Sequence, residues 1–197
     1  ERFQQHAEGL GAQVEWSMVT GIDYDADAAH FTIHHDRGDT EAKSVIACMG
    51  ATPRPAGFVG EDTYRGRGVS YCATCDGMFF RGKHVFVIGG GNAACEEALF
   101  LSDIASSVTI VLRRDQFRAP DGVVKKVLAK DNISVRYQTS IVELSGETMP
   151  TMITFKDNAT GETYSETFDP GSFGIFVFTG TQPHTELVDH LVDLASD

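Results

Sequence analysis

Two cysteines separated by two residues and followed at once by a carboxylate, Cys72-Ala73-Thr74-Cys75-Asp76-Gly77, form the most reactive constellation in this 197-residue chain. A CxxC pair can close a small disulfide and exchange it with the disulfide of another molecule. The thiolate is the nucleophile in that exchange, so protons must be managed, and the adjacent Asp76 is the candidate acid and base. Residue types alone leave other readings open. A CxxC can be half of a zinc site. No second CxxC or suitably spaced His pair completes one, since His30, His34 and His35 fall in a separate strand pattern, so no metal is expected. The pair could also be inert loop cysteines. Cys95 lies within a helical stretch and Cys48 at the end of an apolar one, and both read as small buried residues.

A second constellation is Gly89-Gly90-Gly91-Asn92-Ala93-Ala94, which fits G-x-G-x-x-A. Gly89 permits the tight turn, Gly91 lets backbone approach a pyrophosphate, and the small Ala94 lets helix and strand pack closely. The helix start at Asn92 and Ala93 then offers free N–H groups to phosphate oxygens. Glycines also occur in ordinary turns, but this run follows a predicted strand and opens a predicted helix, which is the context that nucleotide binding requires. The end of the next strand selects the nucleotide. An NAD site usually carries Asp or Glu there; this chain has Arg113 and Arg114, with Gly89 and Arg113 24 residues apart, and Arg118 on the same short turn. Guanidinium groups suit a 2′-phosphate that a carboxylate would repel, so NADPH is favoured over NADH, against the plainer reading of a solvated basic loop.

The elements that hold these residues alternate as an α/β fold does. Residues 84–88, 108–112 and 133–137 are apolar strand runs, Ala93–Leu101 reads as a helix, and Asp121 is placed to cap a further helix through Lys130. That succession implies a parallel sheet in a Rossmann-like, three-layer unit. Residues 141–144, 151–155 and 163–168 read as an antiparallel meander, and 174–178 as a returning apolar strand. Before the Rossmann unit, residues 1–10 read as a helix, and 13–16, 30–34 and 44–48 as strands, the last one buried. Residues 184–195 read as a short helix through Leu187, Leu191 and Leu194. Pro- and Gly-rich stretches at 52–57 and 179–183 mark two candidate boundaries.

Composition fixes the class of molecule. Hydrophobic residues are 42% and charged residues 22%, the balance of a globular domain. A net charge of −12 repels phosphate backbones, so no nucleic-acid partner is expected. No apolar run approaches membrane-spanning length, and residues 1–6 lack the apolar core of a secretory leader. Four cysteines without the spacing of a secreted disulfide framework fit a reducing, cytoplasmic setting.

Taken in order, Cys72–Gly77, Gly89–Ala94, Glu96-Glu97-Ala98-Leu99 and Arg113-Arg114-Asp115-Gln116-Phe117-Arg118-Ala119 resemble the low-molecular-weight thioredoxin reductases, and the likeness runs along essentially the whole chain. That resemblance implies a flavoprotein with two dinucleotide-binding domains, in which an NADPH domain is inserted into an FAD domain. Residues 1–53 would be part of the FAD domain, 54–180 the NADPH domain with its CxxC, and 181–197 the start of the returning FAD segment. Electrons would pass from NADPH through FAD to the Cys72/Cys75 disulfide and on to thioredoxin or a thioredoxin-like protein. Cys75 would face the flavin, Cys72 would attack the substrate, and Asp76 would donate and accept the proton. A rotation between domains and a homodimeric parent are implied as well. The family's own N-terminal glycine-rich flavin unit and its Gly-Asp flavin motif are not in this sequence. By itself the chain is therefore expected to be a fragment that holds little FAD and does not turn over. Cys48-Met49-Gly50-Ala51 stands where the family usually has Ala-Thr-Gly-Ala, and Leu112 stands where it has His. Related readings are a flavoprotein serving another redoxin or a peroxiredoxin, and a non-catalytic NADP(H)-binding module.

Overall fold

A computed structural model describes residues 2–195. The chain forms two units, residues 1–51 with 183–197 and residues 52–182.

The first unit holds a helix, α1 (Arg2–Gly9), and an antiparallel meander of β1 (Val19–Asp25), β2 (His30–His35) and β3 (Gly38–Ala42). Asp25 shapes the first hairpin by accepting the N–H groups of Asp27 and Ala28. Of its described residues, Ile22 is the one buried apolar side chain.

Three expectations fail in this unit. Residues 13–16 are irregular and Trp16 is exposed; the strand begins at Val19 instead. Residues 44–48 are likewise irregular, with Ile46 91% exposed, and Cys48 is exposed where a buried residue was expected. Residues 184–195 make turns, with bonds from Val188 N to Thr185 O and Leu191 N to Val188 O, and no helix. For the two strand expectations the physical reason is shared: a strand needs a partner, and among the described residues none pairs in a sheet with 13–16 or 44–48. A segment as short as 184–195 is marginal as a helix by itself.

The chain passes between units along β4 (Ala51–Pro53) and β13 (Thr181–Pro183), which pair with each other. The second unit then runs through β5 (Val69–Ser70), α2 (Ala73–Asp76), a 3₁₀ turn (Gly77–Phe80), β6 (His84–Ile88), α3 (Asn92–Ser102), β7 (Ser107–Val111), α4 (Asp121–Leu128) and β8 (Ile133–Arg136). It continues with β9 (Thr139–Ser145), β10 (Met152–Asp157), β11 (Thr163–Thr167) and β12 (Phe173–Val177). A five-stranded parallel sheet is ordered β5-β12-β6-β7-β8, and β11-β10-β9 form a separate antiparallel sheet. This is the α/β, parallel-sheet architecture that the alternating pattern predicts.

Alternate residues of the parallel strands serve two cores. Val85, Val87, Val108, Ile110 and Phe176 face α3 and α4, packing with Ala94, Cys95, Ala98 and Leu101. Phe86, Ile88, Val111, Phe173, Ile175 and Val177 face the meander, meeting Ile141, Leu144, Ile153 and Phe155. Burial on both faces is why these strands read as continuous apolar runs. One boundary differs from expectation: Pro120 occupies the cap position of α4, and Asp121 is its first helical residue. Proline has no N–H to lose there, and Asp121 still places its charge in the first turn, where the helix dipole favours it.

Candidate redox and nucleotide site

The cysteines lie where β5 ends. Val69 and Ser70 pair in parallel with β12, and the chain then turns into α2. Phe80, which closes the following 3₁₀ turn, stacks edge-on against Phe176, and a Cβ at Gly174 would fall 2.5 Å from its ring. Gly77 also packs closely, a Cβ there falling 3.1 Å from Leu101. The redox turn is thereby fastened to both the sheet and α3.

Cys72 and Cys75 form a disulfide with Cα atoms 5.3 Å apart. Cys72 is half-buried and Cys75 exposed. Cys72 caps α2, its Sγ accepting a hydrogen bond from Cys75 N at 3.2 Å. Such a donor favours negative charge on that sulfur once the disulfide opens. Asp76 accepts a 2.6 Å hydrogen bond from Ser70 Oγ, and Cys72 N donates to the same hydroxyl at 3.1 Å. Ser70 is 5% exposed and links the first cysteine to the carboxylate. Residue spacing did not single it out; the Ser preceding the CxxC by two was the only available signal. Next to the pair, Tyr71 donates to Glu61 Oε1 at 2.6 Å. Burial, with the Glu61 carboxylate adding to it, drives the Tyr71 phenol well above its ordinary range. Glu61 is itself buried and accepts the N–H groups of Ala56 and Gly57. Burial also raises the Cys95 thiol, which is inert packing in α3.

Part of the residue set expected to bind a nucleotide lines a cavity of about 290 Å³ in the same unit, while Gly91, Asn92, Ala93 and Ala94 stand outside its lining. Gly89, Arg113, Arg114 and Arg118 contribute, as do Gly90, Gln116 and Leu112. Gly89 has φ +135, and a Cβ there would meet the Phe178 carbonyl at 2.3 Å, so only glycine fits. Over Gly91, by contrast, nothing lies within 4 Å of a built Cβ. That clear space directly before the N-terminus of α3 can admit a pyrophosphate, and it meets the steric requirement for a dinucleotide. Asn92 and Ala93 open the helix, while Ala94 is fully buried against the sheet. The Arg113, Arg114 and Arg118 side chains are exposed and, among the described residues, make no ion pair or hydrogen bond. Their donors are thus available to an anion. Sequence reasoning missed the far wall, made by Arg54, Phe58, Thr139, Ser140 and Ile141 from the linker and β9. Nothing in their local pattern marks them, because topology alone brings them there.

Cys72, Cys75 and Asp76 do not line that cavity. The residues expected from sequence thus fall at two places in one unit, the disulfide turn and the glycine turn with its arginines. Unit 1 offers no glycine-rich strand-to-helix turn among its described residues, so no residues here are assigned to a flavin. Among the described residues, no group of three His, Cys, Asp or Glu is placed to hold a metal, and no helix is long and apolar enough to cross a membrane.

The chain is similar to known proteins. Thioredoxin reductase of Peptoclostridium acidaminophilum is 40% identical over 189 residues, covering 95% of this chain and 59% of that relative. Thioredoxin reductase of Treponema pallidum is 42% identical over 188 residues, with the same coverage. The crystal structure of Lactococcus lactis thioredoxin reductase superposes with a TM-score of 0.81 at 35% identity, covering 96% of this chain and 61% of that one. The chain therefore spans about 59% of the length of the curated relatives it matches. The residue pattern that defines the pyridine nucleotide-disulphide oxidoreductases matches residues 1–195, and the chain belongs to that family.

Proposed function

We propose that the full-length protein is an NADPH-dependent thioredoxin-disulfide reductase in which Cys72, Cys75 and Asp76 carry the thiol chemistry. The observation that carries this reading is the pairing of a CxxC disulfide, tied through Ser70 to a carboxylate, with a glycine cradle and free arginines in one Rossmann unit. NADPH and FAD, when bound, supply the pair of electrons that opens the disulfide. Gly89, Gly91, Asn92, Ala93 and Ala94 shape the phosphate-binding turn, and Arg113, Arg114 and Arg118 hold the 2′-phosphate.

Reduction breaks the Cys72–Cys75 bond and leaves a thiolate and a thiol, the proton coming by way of Asp76. Cys72, its sulfur facing the Cys75 N–H, attacks a sulfur of the substrate disulfide and forms a mixed disulfide. The substrate's other sulfur leaves as a thiolate and takes up a proton. Cys75 then attacks Cys72 Sγ, which restores the internal disulfide and releases the substrate as a dithiol. Asp76 accepts the Cys75 proton in that step. Ser70 keeps the carboxylate aimed at the turn throughout. The substrate is thioredoxin or a thioredoxin-like protein, the assembly a homodimer, and the compartment the reducing cytoplasm, which the free thiols of Cys48 and Cys95 suit.

Steady-state reduction of thioredoxin by NADPH tests the reading in the full-length protein. Turnover is expected with the native sequence and loss of turnover with Cys72→Ser. Turnover that survives Cys72→Ser would reject the assignment, and reduction of a peroxiredoxin but not of thioredoxin would redirect the substrate.

A further inference from the structure

We propose that Asn158 is a positioning residue that, with Gln138 and Ser140, sets the arginine loop for a 2′-phosphate and so contributes to selecting NADPH over NADH. This deepens, and rests on, the reading of Arg113 and Arg114 as the 2′-phosphate site.

The two arginines stand on an irregular loop, and among the described residues their side chains have no partner to orient them. What orients them is the backbone beneath. Arg113 O accepts a hydrogen bond from Asn158 Nδ2 at 3.1 Å, across 45 positions of sequence. Arg114 O accepts from Gln138 N at 2.9 Å, and Arg118 N donates to Gly90 O at 2.7 Å. The first two fastenings are one device, because Asn158 N donates to Gln138 O at 2.7 Å. Ser140 Oγ accepts a second bond from Asn158 Nδ2 at 2.9 Å, which fixes the amide's orientation. Both donors of that amide nitrogen are thus committed.

Two further features mark this as more than a turn. Gln138 has φ +47, one of two non-glycine residues in the left-handed region among the described residues. A side chain disfavours that conformation, and it persists where surrounding bonds determine it. Here it aims the Gln138 N–H at Arg114 and its carbonyl at Asn158. The β10–β11 hairpin, in turn, does not need the Asn158 side chain. Asp157 Oδ1 already accepts the N–H groups of Ala159 and Thr160, which closes that turn. The Asn158 amide is spent on the distant loop instead.

The test measures dissociation constants of NADPH, 2′,5′-ADP and NADH for the full-length protein and for Asn158→Asp, Asn158→Ala and Arg113→Ala. Asn158→Asp is nearly isosteric but replaces the donor with an oxygen that cannot donate to the Arg113 carbonyl. Both Asn158 variants are expected to weaken NADPH and 2′,5′-ADP by about three- to tenfold, the worth of one hydrogen bond, with NADH unchanged. Arg113→Ala is expected to weaken the same two ligands at least as much. Equal losses for NADPH and NADH would show a merely structural role and overturn the proposal. Unchanged NADPH affinity in the Asn158 variants, with Arg113→Ala impaired, would overturn the clamp and leave the arginine site standing. An Arg113→Ala protein with native NADPH affinity would instead overturn the 2′-phosphate reading itself.

Discussion

Ser70 sits between the two groups whose chemistry has to be coordinated. Its buried hydroxyl donates to Asp76 and accepts from the Cys72 backbone, so a single oxygen ties the Cys72 main chain to the carboxylate proposed as its proton partner. A hydrogen bond to a charged group contributes about 1.5–3 kcal/mol, so losing it disturbs the carboxylate more than an average surface contact would. In the full-length protein Ser70→Ala is expected to slow disulfide reduction by about tenfold, and Asp76→Asn by on the order of a hundredfold, the range seen for removal of a general acid or base. NADPH affinity should be native in both, because neither residue lines the nucleotide cavity. Stopped-flow reduction together with equilibrium binding separates the two effects. An Asp76→Asn protein at full speed would show that the proton moves by another route. At this same scale the sequence named both cysteines and Asp76 through adjacency, yet Ser70 stayed hidden. A serine hydroxyl finds its partners through the fold of β5 and α2, and no spacing rule encodes that.

Among elements, the parallel strands β6, β7 and β12 were legible because they are buried on both faces, which favours apolar runs. Strand β7 carries an exception that has a consequence. Thr109 and Ser107 are polar residues within it, and they meet His84 of β6, with Nδ1 2.6 Å from Ser107 Oγ and Nε2 3.2 Å from Thr109 Oγ1. Burial lowers the His84 pKa, and the Arg136 guanidinium lowers it further while Glu166 opposes. The folded sheet therefore favours the neutral imidazole. A histidine with a depressed folded pKa takes up its proton more readily in the unfolded chain. Its effect is absent above the unfolded value of about 6.5, and stability falls as pH drops from there toward the folded value. Urea unfolding of the native protein should show this decline, and His84→Gln should reduce the slope in that window. An identical slope in the variant would remove His84 from the account.

The strands misread in the first unit have a different origin. Gln13–Trp16 and Ser44–Cys48 have the composition of strands, but a strand exists only beside a partner, and none of the described residues provides one. Conversely, β1 and β3 are largely exposed, with a polar composition that hides them from an apolar pattern.

At the scale of the whole molecule, a 290 Å³ cavity at the glycine turn and a disulfide turn occupy one Rossmann unit without sharing a wall. The glycine turn and the arginines stood out in the sequence because the proposed phosphate recognition needs specific residue types at fixed offsets from strand ends. The opposite wall, from Arg54 to Ile141, was not, because it is assembled from a linker and a meander that become neighbours only on folding. The central claim is that electrons from NADPH arrive at Cys72 and Cys75. The most direct measurement is the number of titratable thiols in the denatured full-length protein before and after anaerobic addition of NADPH. The account predicts a gain of two thiols per chain with NADPH, and no gain in Cys72→Ser or Cys75→Ser proteins. A gain of two thiols that persists in either variant, or no gain in the native protein, would contradict it.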